Sequence, residues 1–410
     1  MTIHLVPQRY IPYRRHDIIE MCLSGDELNA AQAEQFRVLS RLLHNVFHYE
    51  YHALQEQLKD AYAPINPDAD TRRVELNRQD TAPLFIDLLE TLLDKANYEK
   101  VSDADLRQAL LEESMFKIRL QVDFSDFEEV LLFCRGQSVR AETLVSWFGL
   151  RKRNIRFTNY DRVVVYLKFR KDFDPAVGQL PANRAGATLL KLFQNVPKAD
   201  LEMLFPNTRV RMRTLDKLMI GVPAVVSGGI VITTKLGTTL VLIGSLIGYW
   251  IGMHQDPVEL NRATVVALLA GLGALGAYLW KQVNNFRNRK LRFMQSLTRN
   301  LYFKNLDNNA GVFLRLINDA EEEECKEAVL AYYFLLVSNN ALTKIELDRV
   351  IENWFAERWH TRLDFEIDDA LEKLVRLELV EVSDGQYRAV PTQEALKKLD
   401  SLWDNYFTAA

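Results

Sequence analysis

The stretch from residue 218 to 280 constrains this chain more than any other. It holds ten of the 17 glycines, and its first 38 positions contain one charged residue, Lys235. Three apolar blocks can be separated there: 218–234, 236–253 and 264–280. A helix needs about 20 apolar residues to cross a bilayer, with a lower limit of about 17. Each block is close to that limit, so flanking charge has to set the number of crossings. Arg209, Arg211, Arg213 and Lys217 precede the first block; Lys281, Arg287, Arg289, Lys290, Arg292 and Arg299 follow the third, with no acidic residue among them. The positive-inside rule places both flanks on one face, which makes the number of crossings even. The expectation is a two-span transmembrane hairpin of the second and third blocks, turned at Pro257, with Tyr249, Trp250, Tyr278 and Trp280 at the interfaces.

Small residues recur every fourth position in these blocks, at Gly244, Gly248 and Gly252 and again at Ala263, Ala267 and Gly271. That spacing gives a flat face on which two helices approach closely. Packing within one chain explains it, and a homodimer or a pore-forming homo-oligomer is the alternative. Gly271-Leu-Gly273-Ala-Leu-Gly276 spells a dinucleotide fingerprint, but that motif acts only as a turn between a strand and a helix. Inside an apolar run it is a helix pattern.

Charge is distributed unevenly. The chain has a formal net charge of −4, yet residues 201–318 hold 14 Lys/Arg against 5 Asp/Glu, and residues 319–410 hold 10 against 21. The basic middle would favour a bilayer with anionic headgroups as a partner. The acidic C-terminal region disfavours nucleic acid, whose binding depends on phosphate contacts. The three cysteines, Cys22, Cys134 and Cys325, form no C-x-x-C pair, and free thiols suit a reducing compartment. The N-terminus has no apolar signal core.

Residues 28–59 and 83–93 repeat apolar residues at helical spacing, with the polar turn 63–71 between them. From Phe116 the period becomes two. Residues 117–123, 129–134 and 162–169 read as strands of a small antiparallel sheet, with 148–154 as a basic loop. Beyond residue 320 the order is three helices (322–338, 343–358, 366–377), a hairpin turning at Asp384-Gly385, and a closing helix at 392–406. That order is a winged helix. Its third helix and the approach to it carry Asp364, Glu366, Asp368, Asp369 and Glu372, so a protein partner is expected there rather than DNA.

The strongest candidate for chemistry is His44, His48 and His52, followed at the same spacing by Glu56 and Asp60. Steps of four keep these side chains along one helical face, where they could bind a divalent metal. No Glu-x-x-His partner helix accompanies them, so packing competes with a metal site and no cofactor is predicted.

Four stretches carry a family resemblance: Phe47-His-Tyr-Glu-Tyr-His52 with Lys59-Asp-Ala-Tyr-Ala-Pro-Ile-Asn-Pro67, the run 191–206, the run 301–311, and 321–336 with its Lys326-Glu-Ala-Val-Leu-Ala-Tyr-Tyr core. They resemble the uncharacterised membrane family that includes the mitochondrial transmembrane protein 143 and bacterial and plastid relatives. The resemblance implies two spans and a domain of unknown function, and supplies no activity.

The reading is therefore an α+β membrane protein in four parts: an N-terminal helical region (1–115), an antiparallel sheet with a connecting helix (116–206), a membrane insert with basic flanks (207–300) and an acidic winged-helix-like domain (301–410). The expected function is a non-enzymatic adaptor at a bacterial inner membrane, with cytoplasmic termini and an unknown protein partner. An organellar inner membrane is the alternative location. A metal-dependent enzyme built on His44, His48 and His52, and a homo-oligomeric channel, are the alternative functions.

Overall fold

The computed structural model describes residues 7–68, 82–102, 106, 119–146, 151–172, 186–211, 244–245, 247–251, 262–338 and 340–406. The chain divides into two units. Residues 1–113, 123–206 and 304–410 form one, and residues 114–122 and 207–303 the other.

In the first unit, α1 (Arg15–Cys22), α2 (Ala30–Tyr62) and α3 (Ala82–Lys95) precede a five-stranded antiparallel sheet. Asn29 and Gln32 start α2 with reciprocal side-chain to backbone hydrogen bonds, which satisfy two of its orphan amides. The sheet order is β1-β3-β4-β5-β7, from β1 (Glu99–Lys100), β3 (Phe127–Ser146), β4 (Arg151–Phe169), β5 (Thr188–Pro197) and β7 (Asn305–Asn308). Alternation builds its helix-facing layer. Phe133, Val164 and Leu192 stand side by side across β3, β4 and β5, and Leu131, Tyr166 and Leu190 form the next row. The interleaved residues Leu132, Val163, Val165, Leu189 and Phe193 are buried as well, and a 3-10 turn at Lys198–Leu204 packs on β4 and β5. Gly136 sits opposite Asp161 with φ +72°, and a Cβ there would come 2.6 Å from the Asp161 carboxylate.

Two strand expectations change. Arg151, Lys152 and Arg153 belong to β4, paired in register with β3, and not to a basic loop. Residues 119–121 leave the main sheet and form β2 (Arg119–Gln121), which pairs with β6 (Arg209–Arg211) in the second unit. The expected surface residues Arg209 and Arg211 are thus strand residues.

The helix α5 (Ala310–Val337) is the axis of the first unit. It packs on α1, α2, α3, β5, β7 and the C-terminal elements, and 19 of its residues are buried. Asn309 fixes its start by exchanging backbone and side-chain hydrogen bonds with Leu190 of β5. Around Phe313, the rings of Tyr62, Phe85 and Tyr166 form a connected aromatic cluster.

The C-terminal elements continue from α5 through β8 (Leu342–Thr343), α6 (Lys344–Trp359), α7 (Ile367–Arg376), β9 (Val380–Ser383), β10 (Gln386–Ala389) and α8 (Thr392–Asn405). The sheet order β8-β10-β9 is that of a winged helix. Asp384 and Gly385, both at positive φ, close the β9–β10 hairpin in the manner of a type I′ turn.

The transmembrane hairpin is overturned. Among the described residues no helix is both long and apolar enough to cross a membrane. Block 218–234 lies outside the described residues, and of the second block only 244–245 and 247–250 are described as helical. The third block opens α4 (Arg262–Lys304), a 43-residue helix that continues without a break through Lys281, Arg287, Arg292 and Arg299. Residue character changes at Trp280, but the backbone does not, so the apolar run is the first part of a long helix with a basic second half. The membrane classification falls with the hairpin, and so do the inner-membrane locations inferred from it. The Gly271–Gly276 run lies within the same helix, away from any strand-to-helix turn.

Candidate functional site

The sequence Asp319-Ala-Glu-Glu-Glu-Glu-Cys-Lys-Glu327 would ordinarily mark a solvated helix face. Here it occupies the buried middle of α5, and Glu321, Glu323, Glu324 and Glu327 are all buried. A buried charge is tolerated only when paired or hydrogen-bonded. Asp319 takes Arg162 at 2.6 Å and Arg135 at 3.2 Å, and the Arg135 guanidinium lies over the rings of Tyr10 and Tyr98. Glu322 accepts the backbone N–H of Arg15 at 2.9 Å, and Glu323 that of Ile11 at 3.0 Å. Lys326 donates to the carbonyls of Ile11 and Tyr13 and to Glu323. Glu324 meets Lys95 at 3.2 Å and Lys373 at 3.4 Å. Glu327 accepts from Asn97 at 2.8 Å and from Lys373 at 3.0 Å. Burial pushes the Glu327 carboxyl up to about 7 despite Lys373. This spine ties the N-terminal segment, α2, α3, the sheet and α7 to one helix, and its carboxylates are engaged within the chain.

The histidine stripe ends on the same spine. His48 Nδ1 lies 3.0 Å from Glu321, and His44 Nδ1 lies 3.3 Å from the other oxygen of that carboxylate, without the alignment of a hydrogen bond. Burial, then the charge of Arg15, holds the His44 imidazole below its ordinary range. His52 is exposed, and Glu56 is exposed and paired with Lys59 at 2.7 Å. The structure thus brings two of the four candidate ligands, His44 and His48, together on one carboxylate outside that set, Glu321. Among the described residues no group of three His, Cys, Asp or Glu is placed to hold a metal.

The acidic approach to α7 is partly engaged within the chain. Glu366 pairs with Arg9, and Asp368 pairs with Lys344. Asp364 and Glu372 are exposed; Asp369 is partly buried, and burial raises its carboxyl above its ordinary value. The N-terminal segment lies alongside: Gln8 bridges Leu363 in parallel and bonds both backbone groups of Gln137. Sequence reasoning missed two members of this cluster, Asp348 and Glu352 on α6. Asp348 is pushed up to about 6, by burial first and then by the charges of Glu352 and Asp364. Its Oδ1 is buried without a hydrogen-bond partner among the described residues. Helical spacing from Lys344 through Asp348 to Glu352 was the available signal; what it lacked was the loop 361–366, which brings Asp364 alongside.

The remaining candidates do not converge on a site. Lys281, Arg287 and Arg292 are exposed on α4, where Arg289 and Lys290 also lie. Arg213, Lys217 and Gly252 fall outside the described residues. Among the described residues, a Cβ placed at Gly244 or Gly248 would meet nothing within 4 Å. Ala263 is exposed, and Ala267 and Gly271 lie within α4.

A domain described as a protein of unknown function, DUF3754, is present over residues 160–311. The DUF3754 match runs from β4 through β5, β6, α4 and β7 to the first residues of α5, and it includes neither α2 nor the winged helix. No solved structure matches the chain.

Proposed function

We propose that this chain is a non-enzymatic adaptor whose winged helix presents the carboxylates of α6 and of the approach to α7 to a basic protein partner. The observation that carries this reading is Asp348. Its carboxylate is half-buried, faces the charges of Glu352, Asp364 and Asp368, and has Lys344 as the nearby counter-charge. Like charges held this close cost free energy in the isolated chain, and a partner's Lys or Arg would relieve that cost on docking. The same charges repel a phosphate backbone, so the partner is a protein and not a nucleic acid. Kinship beyond the matched domain, with the wider family resembled by residues 47–52, 59–67 and 321–336, belongs to the same proposal, because those stretches lie outside 160–311.

Neutralising Asp364 and Asp368 to Asn tests it. Both are exposed, so the fold should persist. Partners captured by the full chain should be retained at low salt, be lost as ionic strength rises, and be depleted in the double variant. Equal capture by both proteins at every salt concentration would contradict the reading.

A further inference from the structure

A cavity of about 230 Å³ lies between α1 and α2, remote in sequence from the winged-helix cluster and independent of the reading built on it. On α2, Arg37, Ser40, Arg41 and His44 follow at intervals of three, one and three, which places them on one helical face. Arg15 and Glu20 contribute from α1. The arrangement is not explained by the fold alone. Glu20 holds Arg37 through two hydrogen bonds of 3.0 Å. Arg41 has neither a hydrogen bond nor an ion pair among the described residues. Ser40 is 1% exposed, and its Oγ has no hydrogen-bond partner among the described residues. A buried hydroxyl left unpaired costs free energy, so an acceptor in the cavity would complete it.

Three guanidiniums line this space; Arg37 is paired with Glu20 and, at 3.7 Å, with Glu34, whereas Arg15 and Arg41 have no ion pair among the described residues. Glu321 and Glu322 of α5 meet the lining residues from the other side, Glu321 at His44 and Glu322 at the Arg15 amide. Guanidinium forks match the paired oxygens of a phosphate, and two positive charges balance a phosphomonoester dianion. The volume is below the range of about 300–1,000 Å³ typical of drug-sized ligand sites, which suits a compact ligand of a few carbons. We propose that this cavity binds the phosphate group of a small phosphomonoester, held by Arg15, Arg37 and Arg41 with Ser40 Oγ donating a hydrogen bond.

Titration calorimetry of the full chain tests this, with glycerol 3-phosphate and citrate as probes at matched ionic strength. The expected result is saturable one-to-one binding of glycerol 3-phosphate and weaker binding of citrate. Arg41→Gln should weaken it about tenfold or more, because a charge-assisted hydrogen bond is lost. Ser40→Ala should also weaken it, while Arg388→Gln, an exposed change on β10, should leave it unchanged. Arg41 is exposed and has no partner among the described residues, so its substitution should not unfold the protein, and circular dichroism checks this. No binding by the folded chain, equal affinity in Arg41→Gln, or a preference for citrate would each overturn the proposal.

Discussion

Glu327 is the residue at which burial and charge are most finely balanced. It lies in the core of α5 between Asn97 and Lys373, and its carboxyl titrates near 7 in the folded chain against an ordinary value of 4.5. A folded pKa above the unfolded one means that the folded state binds the proton more tightly. The resulting stabilisation is complete below about pH 4.5, declines as pH rises, and is gone above about pH 7. Glu327→Gln keeps the shape and removes the titration. In chemical denaturation, the stability of the native chain relative to this variant should therefore fall from pH 5 to pH 7 and then level off. A difference independent of pH would show that Glu327 is not the titrating group. None of this was legible in the sequence. Six acidic residues within nine positions look solvated, and the partners that permit their burial, Lys95, Arg135, Arg162 and Lys373, lie far away along the chain. The histidine stripe was legible as a stripe for a simpler reason: both His44 and His48 sit on one turn-to-turn face of α2. Its destination, Glu321, is a long-range contact that local spacing does not encode.

Elements were recovered where periodicity and end signals agreed. The C-terminal helices and hairpin follow from helical spacing and the Asp-Gly turn, and α6 opens where Thr343 and Glu346 cap each other's backbone amides. Thr343→Ala should cost about 1 kcal/mol in equilibrium unfolding. A loss indistinguishable from zero would mean that the pairing of β8 with β10 alone holds the start of α6. Elements were missed where both faces are buried. β5 has no alternation to find, because Leu189, Leu190, Leu192 and Phe193 are all buried. The start of α5 was missed because its first residues follow directly from β7, with only Asn309 at positive φ to mark the junction. The expected spans at 236–253 and 264–280 failed through a different fault. Apolar blocks mark a change of composition, whereas a helix propagates by backbone hydrogen bonds and does not stop where charge begins. Hence α4 runs through the apolar and basic segments alike.

At the scale of the molecule, the first unit is assembled from three pieces of the chain, 1–113, 123–206 and the sequence-distant 304–410, held together along α5. The C-terminal elements share their first helix, α5, with the core, so on the proposed reading a partner at the acidic face would dock against an element anchored by α5. The DUF3754 match covers part of the sheet, from within β4 through β5 and β7, together with α4, and leaves the proposed docking face outside it. Function is therefore best tested at that face. Amide hydrogen exchange of the full chain, with and without a captured basic partner, would map the contact directly. The account predicts protection concentrated in residues 344–352 and 361–372, with the β9–β10 hairpin unchanged. Protection confined to the hairpin or to α4, with α6 and α7 exchanging as in the free chain, would contradict it.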